Sequence, residues 1–190
     1  MAEKLSSLVD AYLQDLRHGR RLSEHTVTNY AIDLAQFVEF ALAQGLDAPE
    51  SIRPAHVRGY LREMLAFGYA KASAARKLSA VKSWMVFLKG EHVIVEDPAC
   101  RVQSPKLPLR LPRAISLEDV KNLLENGPTG KNEVRDRAAL ELLYGSGLRV
   151  AELVALDWED LDLQERWVRV TGKGDKQRIV PVGRFALAAF

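Results

Sequence analysis

The chain has 190 residues, 47% hydrophobic and 27% charged, a balance that excludes wholesale disorder and leaves room for one large or two small cores. The formal net charge is +2, with 16 basic and 12 acidic groups in residues 1–113 and 11 basic and 13 acidic in 114–190, so charge alone does not announce a polyanionic partner. No apolar run reaches membrane-spanning length, the start lacks the layout of a signal peptide, and one cysteine, Cys100, excludes an internal disulfide and a cysteine-rich zinc site, so a reducing, cytoplasmic setting is expected.

Apolar residues at helical period dominate the first half. Leu5, Leu8, Tyr12 and Leu16 form one stripe, and Val27, Tyr30, Leu34, Phe37, Val38 and Ala41 form a second, with Ser23 as its N-cap. A third helix is predicted after Pro54 with Val57, Leu61, Met64 and Leu65 inward, and a fourth over about 72–88 with Ala74, Leu78, Val81, Met85 and Leu88 inward. No acid lies between Glu63 and Glu91, while Lys71, Arg76, Lys77, Lys82 and Lys89 lie on or beside the fourth helix and Arg58 and Arg62 flank the third. Such a face suits a DNA major groove, and it equally suits plain solvent.

Residues 98–113 hold four prolines and Arg101, Lys106, Arg110 and Arg113 without an acid. Spaced prolines forbid a regular helix and favour an extended strap, read here as a linker between a domain at 1–97 and one at 114–190. The strap could follow a phosphate backbone or serve only as a tether. Beyond it, Ser116 with Asp119 marks a helix start, and Ile115 with Val120 is placed to form a hydrophobic staple. A helix spans about 133–144, a short one begins near Arg149, and 166–171 with 177–181 read as a β-hairpin. The last residues, from Arg184, read as the opening of a helix, so the second domain is expected to be incomplete. The fold class is therefore mainly α, with one hairpin in the second half.

Two segments carry chemistry. In Gly145-Ser-Gly-Leu-Arg149-Val-Ala-Glu152, glycines break one helix and Arg149 opens the next. Its planar fork suits phosphate oxygens, and a helix start adds positive character. Glu152 can hold that arginine or serve the helix start. An ordinary turn with an intrahelical ion pair would have the same spacing. In Gly172-Lys173-Gly-Asp-Lys176-Gln-Arg178, a lysine at a hairpin tip can reach a groove, although such turns are common on surfaces. Neither a P-loop nor a dinucleotide fingerprint is present.

Together, residues 135–161 and 170–182 resemble the tyrosine recombinases, most closely the bacterial Xer type. Residues 23–34 and 80–88 resemble that family's DNA-facing helices. The resemblance covers the whole chain and about the first two thirds of a family member. It implies a four-helix, SAM-like core-binding domain joined to the first part of an α+β catalytic domain, the two forming a clamp around DNA. It implies catalytic roles for Arg149 and Lys173, with Glu152 supporting the arginine. Arg76, Lys77, Lys82 and Lys106 are expected to contact DNA, and Lys176 and Arg178 match basic positions that touch DNA or serve structure. The implied activity is site-specific cutting and rejoining of DNA through a 3′-phosphotyrosyl link, used in resolving chromosome or plasmid multimers at cell division. The implied partners are a double-stranded recombination site and a paralogous recombinase in a tetrameric DNA complex. No metal, cofactor, membrane or small-molecule substrate is implied.

The family's second arginine motif and nucleophile match nothing in these residues. His18, His25, His56 and His92 precede or border the strap and read as surface or packing residues. Tyr12, Tyr30, Tyr60, Tyr69 and Tyr144 read as helix-packing residues. The 190 residues are thus expected to be a fragment that does not cleave DNA. Two other recombination-related readings stay open, an integrase of a mobile element and a truncated DNA-binding module. A helical interaction protein without a DNA role is the remaining one.

Overall fold

Leu5, Val9, Tyr12 and Leu16 recur at helical spacing, and they bury one side of α1 (Ala2–Gln14) and of the π-helical turn that extends it over Asp15–Gly19. The computed structural model describes residues 2–108, 114–172, 174 and 176–189. It divides the chain into two units, Met1–Arg110 and Leu111–Phe190.

In the first unit α1 is followed by α2 (Glu24–Ala43), α3 (Pro54–Ala66) and α4 (Lys71–Gly90). Ser23 caps α2, its Oγ accepting the Thr26 N–H at 3.4 Å, and Pro54 opens α3 where no N–H is needed. The core centres on Trp84, fully buried on α4, with its ring edge-on to Phe37 of α2 at 6.2 Å. Its indole N–H donates to the Leu8 carbonyl at 3.4 Å, and the Tyr12 hydroxyl donates to Ser83 Oγ at 2.7 Å, so α1 is tied to α4 at two points.

Three details differ from expectation. On α3, Val57, Tyr60 and Met64 are buried and Leu65 is 38% exposed, because Leu65 lies past the arc that faces α2 and α4 and Tyr60 occupies the turn before Met64. Tyr69 and Tyr144 are exposed, whereas Tyr12 and Tyr60 are buried. Residues 98–102 pack into the helical unit, since Pro98, Ala99 and Val102 are buried. Leu107 and Lys106 lie exposed farther along the strap, and Arg110 and Arg113 lie outside the described residues.

The second unit holds α5 (Leu117–Glu125), α6 (Glu133–Gly145), α7 (Val150–Val154), β1 (Leu161–Asp162), β2 (Trp167–Thr171), β3 (Gln177–Pro181) and α8 (Arg184–Ala188). Ser116 caps α5 by accepting the Asp119 N–H at 3.0 Å, but Ile115 stays exposed and does not bury against Val120. The hairpin is the larger part of a three-stranded antiparallel sheet, order β1-β2-β3, with Val168 opposite Val180 and Val170 opposite Arg178. Strand alternation sends Val168 and Val170 into a small core with Leu142, Leu148, Val182 and Ala186. Ser146 Oγ donates to the Pro181 carbonyl at 2.8 Å and joins the end of α6 to the end of β3.

Candidate active site

The site begins where α6 stops. Gly147 has φ +62°, a left-handed conformation that costs a glycine little, and Leu148 is buried beside it. These two residues turn the chain so that Arg149 stands at the start of α7 in extended conformation (φ −78°, ψ 151°).

Glu152, one turn into α7, organises the cluster. Its Oε2 accepts the Arg149 backbone N–H at 2.8 Å, and its Oε1 accepts from Arg149 Nη1 at 2.7 Å. Arg178, on β3, adds a two-pronged grip, with Nη1 on Oε1 at 2.6 Å and Nη2 on Oε2 at 2.8 Å. Four donors therefore fill the acceptor positions of one carboxylate whose side chain is only 4% exposed. The Arg178 hydrogen bonds, and after them the Arg149 backbone N–H, hold the Glu152 carboxyl well below the usual carboxylate range despite the opposing effect of burial. The same contact raises the Arg178 guanidinium above its ordinary value.

One carboxylate thus faces two guanidiniums, and the cluster keeps one net positive charge. Arg178 is the inner, structural partner. Arg149 is 74% exposed, with a single side-chain hydrogen bond among the described residues and the rest of its fork open to solvent. An arginine held through one terminal nitrogen, with the rest of its fork open, suits a phosphate oxygen.

The hairpin loop reaches the same cluster. A methyl added to Gly172 would stand 3.4 Å from Glu152 Oε1 and 3.6 Å from Arg178 Nη1. The Gly172 N–H donates to the Lys176 carbonyl at 2.8 Å and closes the loop, in which Gly174 has φ +75°. Lys173, between these glycines, lies outside the described residues. A roomier depression of about 800 Å³ in this unit is lined largely by apolar side chains, among them Val134, Ala138, Leu142 and Leu153, and includes neither Arg149 nor Glu152. Its two cations are Lys131 and Arg135, and Arg135 is paired with Asp136.

The basic residues expected on DNA fall into different surroundings. Lys82 is half-buried, and Lys106 and Lys176 are exposed. Arg76 is half-exposed, with its guanidinium anchored on Asp33. Lys77 does not lie on an open face: its side chain is 6% exposed, and Nζ donates to Asp33 Oδ1 at 3.0 Å and to Gln36 Oε1 at 2.6 Å. Position 77 follows Ala74 by three and precedes Leu78, so it falls on the packed arc of α4, where burial demands a counter-charge. Asp33, 1% exposed, supplies it and was missed. The signal was a lone acid on the apolar arc of α2 opposite a lone base on that of α4. His56 also has a structural role, its Nδ1 accepting the Arg53 N–H at 3.0 Å at the start of α3. Among the described residues no group of three or more His, Cys, Asp or Glu side chains could hold a metal ion, and no helix is long and apolar enough to cross a membrane.

Comparison with known proteins shows which family the chain resembles. Residues 9–92 match the family described as "Phage integrase, N-terminal SAM-like domain", and residues 113–190 match the "Phage integrase family". Tyrosine recombinase XerC of Roseiflexus castenholzii is 39% identical over 188 residues, covering 97% of this chain and 60% of the relative. Tyrosine recombinase XerD of Haemophilus influenzae is 41% identical over 182 residues, covering 95% of this chain and 61% of the relative. A solved lambda integrase dimer bound to a COC′ core site shares the fold, with a TM-score of 0.71 and 23% identity over 96% of this chain and 64% of that one.

A helical SAM-like unit followed by a unit with a small three-stranded sheet is the fold shared with the lambda integrase structure. The chain belongs to the phage integrase family, the tyrosine recombinases. The relatives named above are Xer recombinases, and the chain spans about three fifths of their length.

Proposed function

We propose that these residues form the DNA-gripping unit and the first part of the catalytic unit of an Xer-type site-specific recombinase. The observation that carries this reading is the Arg149–Glu152–Arg178 cluster, which fixes one exposed guanidinium without neutralising it. A tyrosine oxygen from outside these residues attacks a DNA phosphorus, and its new bond replaces the bond to the 5′-oxygen. Arg149 stabilises the charge that builds on the non-bridging oxygens. Lys173 donates a proton to the departing 5′-oxygen, and the reverse path rejoins the strand. Because the phosphotyrosyl link conserves the bond, rejoining needs no external energy source.

Arg76, Lys82, Lys106 and Lys176 lie on the DNA-facing surface in this reading, and Arg178 acts by holding Glu152. The natural substrate is a double-stranded recombination site, bound in the cytoplasm with a paralogous recombinase in a tetrameric complex that resolves chromosome or plasmid multimers. The 190 residues alone bind duplex DNA and do not cut it. Of the five tyrosines, four lie in the helical unit and Tyr144 lies on α6.

The test joins residues 1–190 to the remaining C-terminal portion of the Haemophilus influenzae relative and presents a nicked suicide duplex. The chimera should trap a covalent protein–DNA adduct, Arg149→Ala in the chimera should trap it far more slowly, and the 190-residue chain alone should not trap it. An adduct formed equally well by the Arg149→Ala chimera, or by the chain alone, overturns the assignment.

A further inference from the structure

Several arginines of the described residues give their charge to a carboxylate: Arg17 to Glu24, Arg20 to Asp15, Arg76 to Asp33, Arg135 to Asp136, Arg169 to Asp160, and Arg149 with Arg178 to Glu152. Arg58, Arg62 and Arg101 behave differently. They make no ion pair among the described residues, yet all three line one cleft of about 420 Å³ in the first unit. Leu61, Val102 and Gln103 complete the lining, and no acid contributes to it.

The fold imposes this convergence. Arg58 and Arg62 are one turn apart on α3 and share a face, an arrangement in which like charges repel. Arg101 joins them from the beginning of the strap, held between Ala99 and Val102, both buried in the helical core. The Ala99 N–H donates to Asp97 Oδ1 at 2.7 Å and the Val102 N–H donates to the Ala99 carbonyl at 3.1 Å, which fixes the turn that presents Arg101. Three guanidiniums brought together without a counter-charge destabilise the protein unless an anion joins them.

We propose that this cleft is a clamp for the phosphate backbone of DNA, separate from the Arg149 cluster and from the basic residues of α4. The inference rests on the reading that the chain binds duplex DNA and adds to it a second group of contacts with a distinct task. The strap favours DNA over an acidic protein: from Arg101 it runs on through Gln103 to the exposed Lys106 without an acid, and Pro105 and Pro108 keep it extended. Cations strung along an extended chain match a linear array of phosphates. Contacts of this kind position a protein on the duplex and read no sequence, so the clamp raises affinity equally for every duplex.

The experiment uses the full 190-residue chain, Arg58→Gln/Arg62→Gln, Arg101→Gln and the charge-preserving Arg101→Lys. Fluorescence anisotropy follows binding to a duplex carrying an Xer-type recombination site and to a scrambled duplex, each across a salt series, with polyglutamate as the acidic-protein probe. The substituted residues are exposed, so the variants should fold as the wild type does, with thermal unfolding of the free chain equal to it or slightly higher as the mutual repulsion is relieved. The double variant should lower the slope of log K against log salt by about 2 and Arg101→Gln by about 1, weakening both duplexes by the same factor, with Arg101→Lys restoring most of the loss. If the wild-type chain binds duplex and the Gln variants keep its slope, the clamp is wrong while the DNA reading stands. Loss confined to the recombination-site duplex also overturns it, as does tight polyglutamate binding that the variants abolish while DNA binding is kept. A wild-type chain that binds neither duplex at low salt overturns the DNA reading itself, and the clamp with it.

Discussion

Arg178 grips Glu152 through both terminal nitrogens, at 2.6 and 2.8 Å, across 26 residues of sequence. The contact ties β3 to α7 and leaves Arg149, which shares the same carboxylate, pointing outward. Arg178 is thus spent on Glu152, while most of the Arg149 fork stays open to solvent.

The folded-state pKa of Glu152 lies below its ordinary value of 4.5, so the cluster contributes its full stability above that value. That contribution is lost as pH falls from about 4.5 towards the depressed folded value. Acid unfolding of the second unit, followed by circular dichroism, should show this loss, and Glu152→Gln should lower the stability at neutral pH while flattening the acid dependence.

Arg149→Ala should separate binding from chemistry. In the chimera, the rate of covalent trapping should fall by about 10²–10³-fold, the usual cost of removing one donor from a developing oxyanion. Duplex affinity, read by anisotropy, should change by less than tenfold, since Arg149 contributes one of many cationic contacts.

Lys77 should behave as a core residue. Lys77→Ala should cost about 1–3 kcal/mol in urea unfolding, because the buried Asp33 loses the partner of its Oδ1 and keeps only Arg76 on Oδ2. The double variant Asp33→Leu/Lys77→Met should recover most of that loss. Its salt slope for DNA binding should match the wild type, as Lys77 reaches no phosphate.

Two further substitutions test the helical core. Trp84→Ala should cost about 3–5 kcal/mol, the range for deleting a large buried ring. The Tyr60 hydroxyl is buried without a hydrogen-bond partner among the described residues, and burial raises its pKa. Tyr60→Phe should therefore be neutral or stabilising by up to about 1 kcal/mol in the same assay.

Much of this architecture is legible in the residues. The four apolar stripes, the caps at Ser23 and Ser116 and the hairpin all follow from local rules that act within a few residues. β1 is not legible, because two residues carry no period and Leu161 joins the sheet only through pairing with Val168. The outward turn of Leu65 and the burial of Lys77 depend on which arc of a helix its neighbours cover, which one helix cannot declare. The glycine bend at 145–149 and Glu152 three residues on mark the site, but the arrival of Arg178 is a tertiary event without a periodic trace. The convergence of Arg58 and Arg62 with Arg101 is of the same kind.

The Asp33–Lys77 pair also constrains how this protein can drift. An acid lost while the amine stays abandons an ion in oil, and an amine lost leaves the acid to Arg76 alone, so single steps at these positions run uphill, the first more steeply. Viable lineages must cross in pairs or keep both, and positions 33 and 77 should be inherited as a linked couplet, with 76 following whichever state they adopt.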